Sequence, residues 1–372
     1  MDNAPILSKK KITKTLIIQR VVPDYRIPFF DALSQRMELT IFYGDATKQD
    51  SVRPLVEERS YLQKTSVRYL FGKSYWIHAG IGRRLRSESW DAVILQPTPR
   101  CLTNIPVLMY CKFKKIKIIG WGMGEMPGRG PFKRWLHRSL QKFSVLPLDS
   151  ILCYSSTAKI YYRAIGFGKR IEIAHNAVLI DEGLSQDRFV DNFEKKNKLE
   201  ILFFGQITPQ KRLAELINIV IEIQNLTLMV AGSGEVEYVK KLKLMAKPAA
   251  SRITFLGHIP PKRLPEVSVN SDVFVLPGRG GLAINHAMAL GLAVICSEGD
   301  GTEKDLVIHQ VTGLKFNGDS QLRNYLVEYS QKKPELREMG LRGREHVLNK
   351  FSISKMVDAF CSVIEERDFE DT

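Results

Sequence analysis

Short, unbroken apolar runs recur along the chain, separated by longer stretches of mixed character. In the first half they are Thr15–Gln19, Glu38–Tyr43, Ala92–Gln96, Ile116–Gly120 and Ser150–Tyr154. Several lack the in–out alternation of a half-exposed sheet, so they read as parallel strands covered on both faces. Ser155 and Ser156 follow the last run, where a serine caps the next helix. In the second half the runs are Glu200–Phe204, Leu226–Ala231, Arg252–Leu256, Val273–Leu276 and Leu292–Cys296, with helical stretches at Lys211–Gln224 and Val236–Met245. The highly charged, apolar-poor segment 181–198 reads as a linker. The pattern predicts an α/β protein of two doubly wound, Rossmann-like domains, residues 1–180 and residues 199–352, with a helical tail over 353–372.

A length of 372 residues with 44% hydrophobic content suits two packed cores. The basic run Lys9–Lys11 is followed by an apolar stretch of only Thr15–Ile18, too short for a signal peptide, so no targeting segment is expected. No apolar run reaches the roughly 18 residues of a membrane-spanning helix. The five cysteines are scattered, with no CxxC pair, and read as free thiols in a reducing cytoplasm.

Charge adds a sharper division. Residues 1–180 hold 30 basic and 13 acidic residues, and residues 181–372 hold 25 and 27, so the excess of +15 comes from the first half. That half is expected to meet a polyanion, either a membrane surface or nucleic acid. The segment Pro131–Phe143 sets Phe132, Trp135, Leu136, Leu140 and Phe143 at helical spacing among Lys133, Arg134, Arg138 and Lys142. It reads either as an interfacial helix on anionic lipid or as an amphipathic helix packed on its own domain.

In open α/β sheets ligands bind beyond the carboxyl ends of the strands, which directs attention to five loops of the second half. Gly205 to Arg212 combines a glycine, which admits close backbone approach, with Lys211, read as opening a helix whose amides favour an anion. Ala231 to Glu235 carries Gly232 in a strand-to-helix turn. Gly257, His258 and Ile259 follow the third strand. Pro277 to Leu282 places Gly278, Gly280 and Gly281 before a helix that holds His286, an amide-lined phosphate cradle with Arg279 beside it. Ser297 to Leu306 mixes turn residues with carboxylates.

These loops, in this order and spacing, resemble glycosyltransferase family 4, the retaining enzymes of the GT-B fold. The resemblance rests on Phe203-Phe204-Gly205 through Lys211, on Phe255-Leu256-Gly257, on Ala287 to Ile295 and on Val311-Thr312-Gly313-Leu314. At the end of the first half it rests on Asp149 with Ile151–Ser155 and on Ile173–Ala177. It covers residues 140–365 well and 15–140 weakly. It implies two domains facing across a cleft, with the 353–372 helix crossing back to the first. The donor nucleotide would lie against Gly205, Gln206, Lys211, Gly232, Gly257, His258, Ile259, Arg279, Gly280, Gly281, Leu282 and His286. Lys211 and Glu125 would be the catalytic residues. Four positions depart from the family pattern. Gln206 stands for an arginine, the first motif glutamate is missing, His286 replaces the second, and Met123 lies where the first domain often has a histidine, with Glu125 the polar group nearby.

The reaction so implied moves a sugar, with retention, from a nucleoside diphosphate to a lipid-linked glycan acceptor. Polyprenyl-diphosphate carriers of bacterial surface polysaccharide are the implied acceptor class, on the inner face of the cytoplasmic membrane. No cofactor is expected beyond the nucleotide sugar as co-substrate, and no metal, because no DxD stands in a glycine-bounded loop and no His/Cys cluster has ligand spacing. Tyr25 and Arg26, after the first strand, are the expected acceptor contacts. The alternatives are an epimerase of the same fold, an inactive sugar-nucleotide-binding relative, or a nucleic-acid-binding protein. The last finds no recognition motif in the chain.

Overall fold

The computed structural model describes residues 13–46, 58–72, 74–124, 131–179, 198–299 and 301–365. The first sheet is built from β1 (Lys14–Ile18), β2 (Glu38–Tyr43) and β3 (Leu62–Lys64), then β6 (Ala92–Leu95), β7 (Lys117–Gly122), β8 (Ser150–Cys153) and β9 (Arg170–Ile173). Between β3 and β6 a separate antiparallel hairpin pairs β4 (Ser66–Leu70) with β5 (Tyr75–Ala79). The spatial order is β3-β2-β1-β6-β7-β8-β9, and every neighbouring pair is parallel. The second sheet uses β10 (Leu199–Phe204), β11 (Leu226–Ala231), β12 (Ile253–Gly257), β13 (Val273–Leu276), β14 (Ala293–Ser297) and β15 (Gly313–Phe316). Its order is β12-β11-β10-β13-β14-β15, again all parallel.

The central strands β6, β8 and β13 are buried along their whole length, which explains their unalternating sequences. The expected strands all form, with ends shifted by one or two residues. The strands the apolar pattern missed are β3, β4, β5, β9 and β15. The first four are largely half-exposed and carry Gln63, Arg68, His78 and Glu172 among their apolar positions, and β15 is short, with Gly313 and Lys315 among its four residues. Ser155 caps the helix Ser156–Ala164, its hydroxyl accepting the Ala158 amide at 3.2 Å.

The first sheet has a core on each face. One contains Val107 and Cys111 from the helix Asn104–Phe113 and Val145 and Tyr162 from the next two helices. The other takes the helix Ile27–Ser34 and the last helix, Ile353–Glu365. Phe360 of that last helix is fully buried and meets the rings of Phe29 and Trp121 with centroids 4.9 Å away. The tail thus closes the first domain after the chain has built the second. Among the described residues no helix is long and apolar enough to cross a membrane. The linker segment falls almost wholly outside the described residues.

Candidate functional site

Strand order in the second sheet reverses between β10 and β13. The chain moves outward through β11 and β12 on one side and through β14 and β15 on the other. At such a switch point the loops at the carboxyl ends diverge and leave a crevice. The Gly205 loop leaves β10 there and the Pro277–Gly281 loop leaves β13.

Main-chain bonds lock these loops together. The Gly205 amide donates to the Ala231 carbonyl at 2.9 Å, Ile207 to Ser233 at 2.8 Å, Gly232 to Gly257 at 2.6 Å and Arg279 to Gln210 at 3.0 Å. Gly205 sits at φ 127°, a conformation that L side chains rarely adopt, so glycine is required to turn the chain out of β10. Gln206, Gly257 and His258 are exposed at the mouth, whereas Ile259 is half-buried against the core.

Lys211 does not open the helix. It closes a single 3-10 turn, Pro209–Lys211, after which Arg212 adopts the left-handed conformation at φ 55° and the helix starts at Leu213. Pro209 starts the tight turn, and Arg212 is held by Glu215 at 3.1 Å, Asp319 at 2.6 Å and the Pro277 carbonyl at 3.3 Å. The geometry directs Lys211 sideways, where its Nζ donates to the carbonyls of Arg279 and Gly280, 2.5 Å from each. The ammonium therefore lies on the glycine loop itself. Arg279 is engaged as well, with Nη1 3.1 Å from the Gln210 side-chain oxygen.

Gly281, at φ 78°, caps the helix Leu282–Ala289, whose first amides face away from any intrahelical acceptor. His286, half-buried one turn inside, has its imidazole pushed down to about 4 by burial, so it is neutral near pH 7. The fifth loop packs over this cradle. Ser297 donates to the Pro277 carbonyl at 2.6 Å, and the buried Glu303 carboxylate accepts the Gly299 and Gly301 amides at 2.9 and 3.0 Å.

The two halves meet beside the cradle. Asn285 donates to the Asn176 carbonyl at 3.1 Å. The Asp305 carboxylate accepts the Ser156 amide at 2.7 Å and the Ser156 hydroxyl, so a side chain of the second half caps a helix of the first. His175 stands 3.7 Å from Asp305, and its Nδ1 donates to the Tyr154 carbonyl at 3.1 Å. Burial lowers its pKa against the opposing pull of Asp305. A small cavity between the halves is lined by Tyr154, His175, Asn176, Gly281, Leu282 and Asn285. A larger one, about 350 Å³, lies between β9 and the last helix and includes none of the loop residues.

On the first-sheet side Arg26 is tied into a network of neighbours. Its Nη2 donates to the Tyr154 hydroxyl at 2.5 Å and its Nη1 to Gln19 at 2.9 Å, and the guanidinium lies 4.5 Å from the Trp121 ring centroid. Tyr25 beside it is 41% exposed. Of the expected acceptor pair, the tyrosine is thus presented to solvent while the arginine is held by this stack. Gln19 and Trp121 belong to none of the stretches that carry the resemblance, and only the fold brings them to Arg26 and Tyr154. Glu125 lies outside the described residues. Among the described residues no group of three His, Cys, Asp or Glu side chains has metal-ligating geometry. All five thiols are buried, and burial pushes those of Cys101, Cys111 and Cys153 up to about 11 or 12, as for inert core cysteines.

Two parallel sheets, each with a switch point and joined across a crevice, define the GT-B architecture. Comparison with known proteins agrees. Residues 185–346 match the family model described as glycosyl transferases group 1. A sucrose-phosphate synthase from Thermosynechococcus elongatus superposes with a TM-score of 0.72 at 14% identity, over 95% of this chain and 98% of that one. Anabaena HepE, solved in complex with UDP, superposes at 0.70 and 13% identity over 95% and 100%. A Klebsiella pneumoniae protein described as an uncharacterized 41.2 kDa protein in the cps region is 24% identical over 208 residues, 52% of this chain and 54% of its own length. The chain spans about half the length, or less, of the curated relatives it matches. Residues 185–346 are therefore similar to the glycosyl transferases group 1 family, and the whole chain has the GT-B fold.

Proposed function

We propose that this protein is a retaining glycosyltransferase. It transfers a sugar from a nucleoside-diphosphate sugar to a lipid-linked glycan acceptor, in surface-polysaccharide assembly on the inner face of the cytoplasmic membrane. One observation carries the reading: the Lys211 ammonium is fixed on the glycine loop that leads into the helix Leu282–Ala289, at the switch point of the second sheet. A departing diphosphate seated there meets a lysine and the positive end of a helix. Catalysis of this transfer is chiefly electrostatic stabilisation of that leaving group. Lys211 and the Gly280–Leu282 amides supply it without a metal ion. Gly257 to Ile259 flank the base, and the neutral His286 imidazole exchanges hydrogen bonds with a ribose hydroxyl rather than contributing charge. Tyr25 and Arg26 contact the acceptor, and Glu125 is assigned a catalytic role beside Lys211. The family match, the cps-region relative and the UDP held by HepE support this reading.

The test is calorimetric titration with UDP, ADP, GDP and their sugars, followed by transfer assays on polyprenyl-diphosphate acceptors. Selective binding of one nucleoside diphosphate, and turnover only with acceptor present, are expected. Turnover without acceptor would indicate an epimerase. Folded protein that binds no nucleotide sinks the proposal.

A further inference from the structure

The sequence left two readings of the helix Pro131–Val145, and the side chains decide between them. An amphipathic helix packed on its own domain turns its apolar stripe inward. This one turns it outward: Trp135 is 63% exposed and Phe143 71%, with Leu136 and Leu140 exposed beside them. Its buried positions are Gln141, bonded to the Pro97 carbonyl, and Val145, with His137 and Ser144 half-buried. The helix is inverted with respect to its domain, polar side largely in and apolar side out.

The neighbouring helix Asn104–Phe113 does the same. It buries Val107 and Cys111 and exposes Ile105, Met109 and Phe113, one turn apart, Phe113 at 81%. The two helices lie on the same face of the sheet. They connect β6 to β7 and β7 to β8, which are adjacent strands, and both bury their inner sides in the same core. The result is one exposed apolar face across two helices, of a kind rare on proteins that stay in water.

Charge selects its occupant. From Ala92 to Leu148 the only acidic residue is Glu125, and neither helix contains one. Lys114 and Lys115 follow the first helix, and Arg134 and Lys142 lie on the second, all exposed. A second copy docked on this face would oppose cation to cation. Nucleic acid would leave the aliphatic and aromatic stripe against phosphate. An anionic lipid surface satisfies both features, with headgroups on the lysines and acyl chains on the stripe. We propose that the paired helices Asn104–Phe113 and Pro131–Val145 form a docking surface for anionic lipid bilayers, with Phe113, Trp135 and Phe143 inserting between headgroups. This deepens the membrane part of the proposed function and does not depend on the donor.

The test is co-sedimentation of the full chain with phosphatidylglycerol-containing vesicles and with pure phosphatidylcholine vesicles. Wild type is expected to prefer the anionic vesicles. Phe113→Ser with Phe143→Ser should lower the partition coefficient by about tenfold per ring. Lys114→Glu with Lys115→Glu should remove the preference for anionic lipid, as high salt should in the wild type. UDP titration of the same variants reports on the other reading separately, and is expected to match wild type. Equal partitioning of wild type and the double serine variant overturns the proposal. So does a self-associating wild type that the serine variant makes monomeric, or binding to random DNA that the same variant loses.

Discussion

Replacing Lys211 by alanine probes the centre of the site. The ammonium donates to two carbonyls of the glycine loop, at 2.5 Å each, and is half-buried there. Its removal takes away the ammonium fixed on the glycine loop and leaves the Leu282–Ala289 amides in place. A hydrogen bond to a charged partner is worth about 1.5–3 kcal/mol, so the dissociation constant for a nucleoside diphosphate should rise by about 10- to 150-fold. The loop also loses a tie, and a fall in unliganded stability of about 1–3 kcal/mol is expected from the two unpaired carbonyls. Calorimetric titration with UDP and with UMP, beside denaturant unfolding of the free protein, separates the two effects. The diphosphate should lose far more affinity than the monophosphate, because the lysine acts on phosphate and not on the base. An unchanged dissociation constant for the diphosphate, or equal losses for both nucleotides, would refute the placement of Lys211 against phosphate.

Other consequences follow from the same geometry. In Gly232→Ala the new methyl carbon would stand 1.9 Å from the Gly205 carbonyl oxygen, so the loops must separate. Stability should fall by about 1–3 kcal/mol, with nucleotide binding weakened, both read by thermal unfolding with and without ligand. Asp305→Ala removes the acceptor of the Ser156 amide and hydroxyl between the halves. A loss of about 1.5–3 kcal/mol is expected, with a larger radius of gyration in solution scattering. A variant with unchanged stability and radius would show that this contact does not hold the halves together. His78 is buried, its pKa lowered to about 4 by burial and by Arg20, and its Nδ1 lies 3.1 Å from the Thr65 hydroxyl. The unfolded chain binds a proton there between about pH 6.5 and 4, while the folded chain does not. Stability should therefore drop by about 2 kcal/mol from pH 7 to 5, and His78→Gln should flatten that part of the denaturation-versus-pH curve.

Much of this architecture is legible in the chain because parallel strands buried on both faces leave unbroken apolar runs, as β10, β13 and β14 do. Other elements are not legible. Strand β9, with Arg170 and Glu172 alternating, pairs only with β8. The hairpin β4–β5 joins neither sheet, and its side chains are mostly half-exposed. The glycine loops announced themselves because close backbone approach demands glycine. The turn that carries Lys211 did not, because a left-handed arginine held by Glu215 and Asp319 ends it, and that pairing spans 107 residues. The Arg26–Trp121–Tyr154 stack was silent for the same reason, with 128 residues between the arginine and the tyrosine.

The inverted helix marks where periodicity stops. Apolar residues at helical spacing establish that a helix has two unlike faces, and nothing in that spacing says which one the domain covers. Here the decision lies with the strands. β6, β7 and β8 are adjacent and almost wholly buried, so their crossover helices must lie flat on the sheet, fixed by whichever residues fit beneath them. Beneath Pro131–Val145 those are Gln141, which donates to the Pro97 carbonyl at the end of β6, and Val145. With Gln141 and Val145 beneath the helix, Trp135, Leu140 and Phe143 lie outward. The packing of the crossover on the sheet, and not the glutamine bond alone, sets that direction. Gln141→Leu should lower the polar cost of burial without restoring a reason for the stripe to turn in. The orientation, and vesicle binding with it, should therefore survive, and a variant that folds stably yet loses the anionic vesicles would show that Gln141 alone sets the direction of the face.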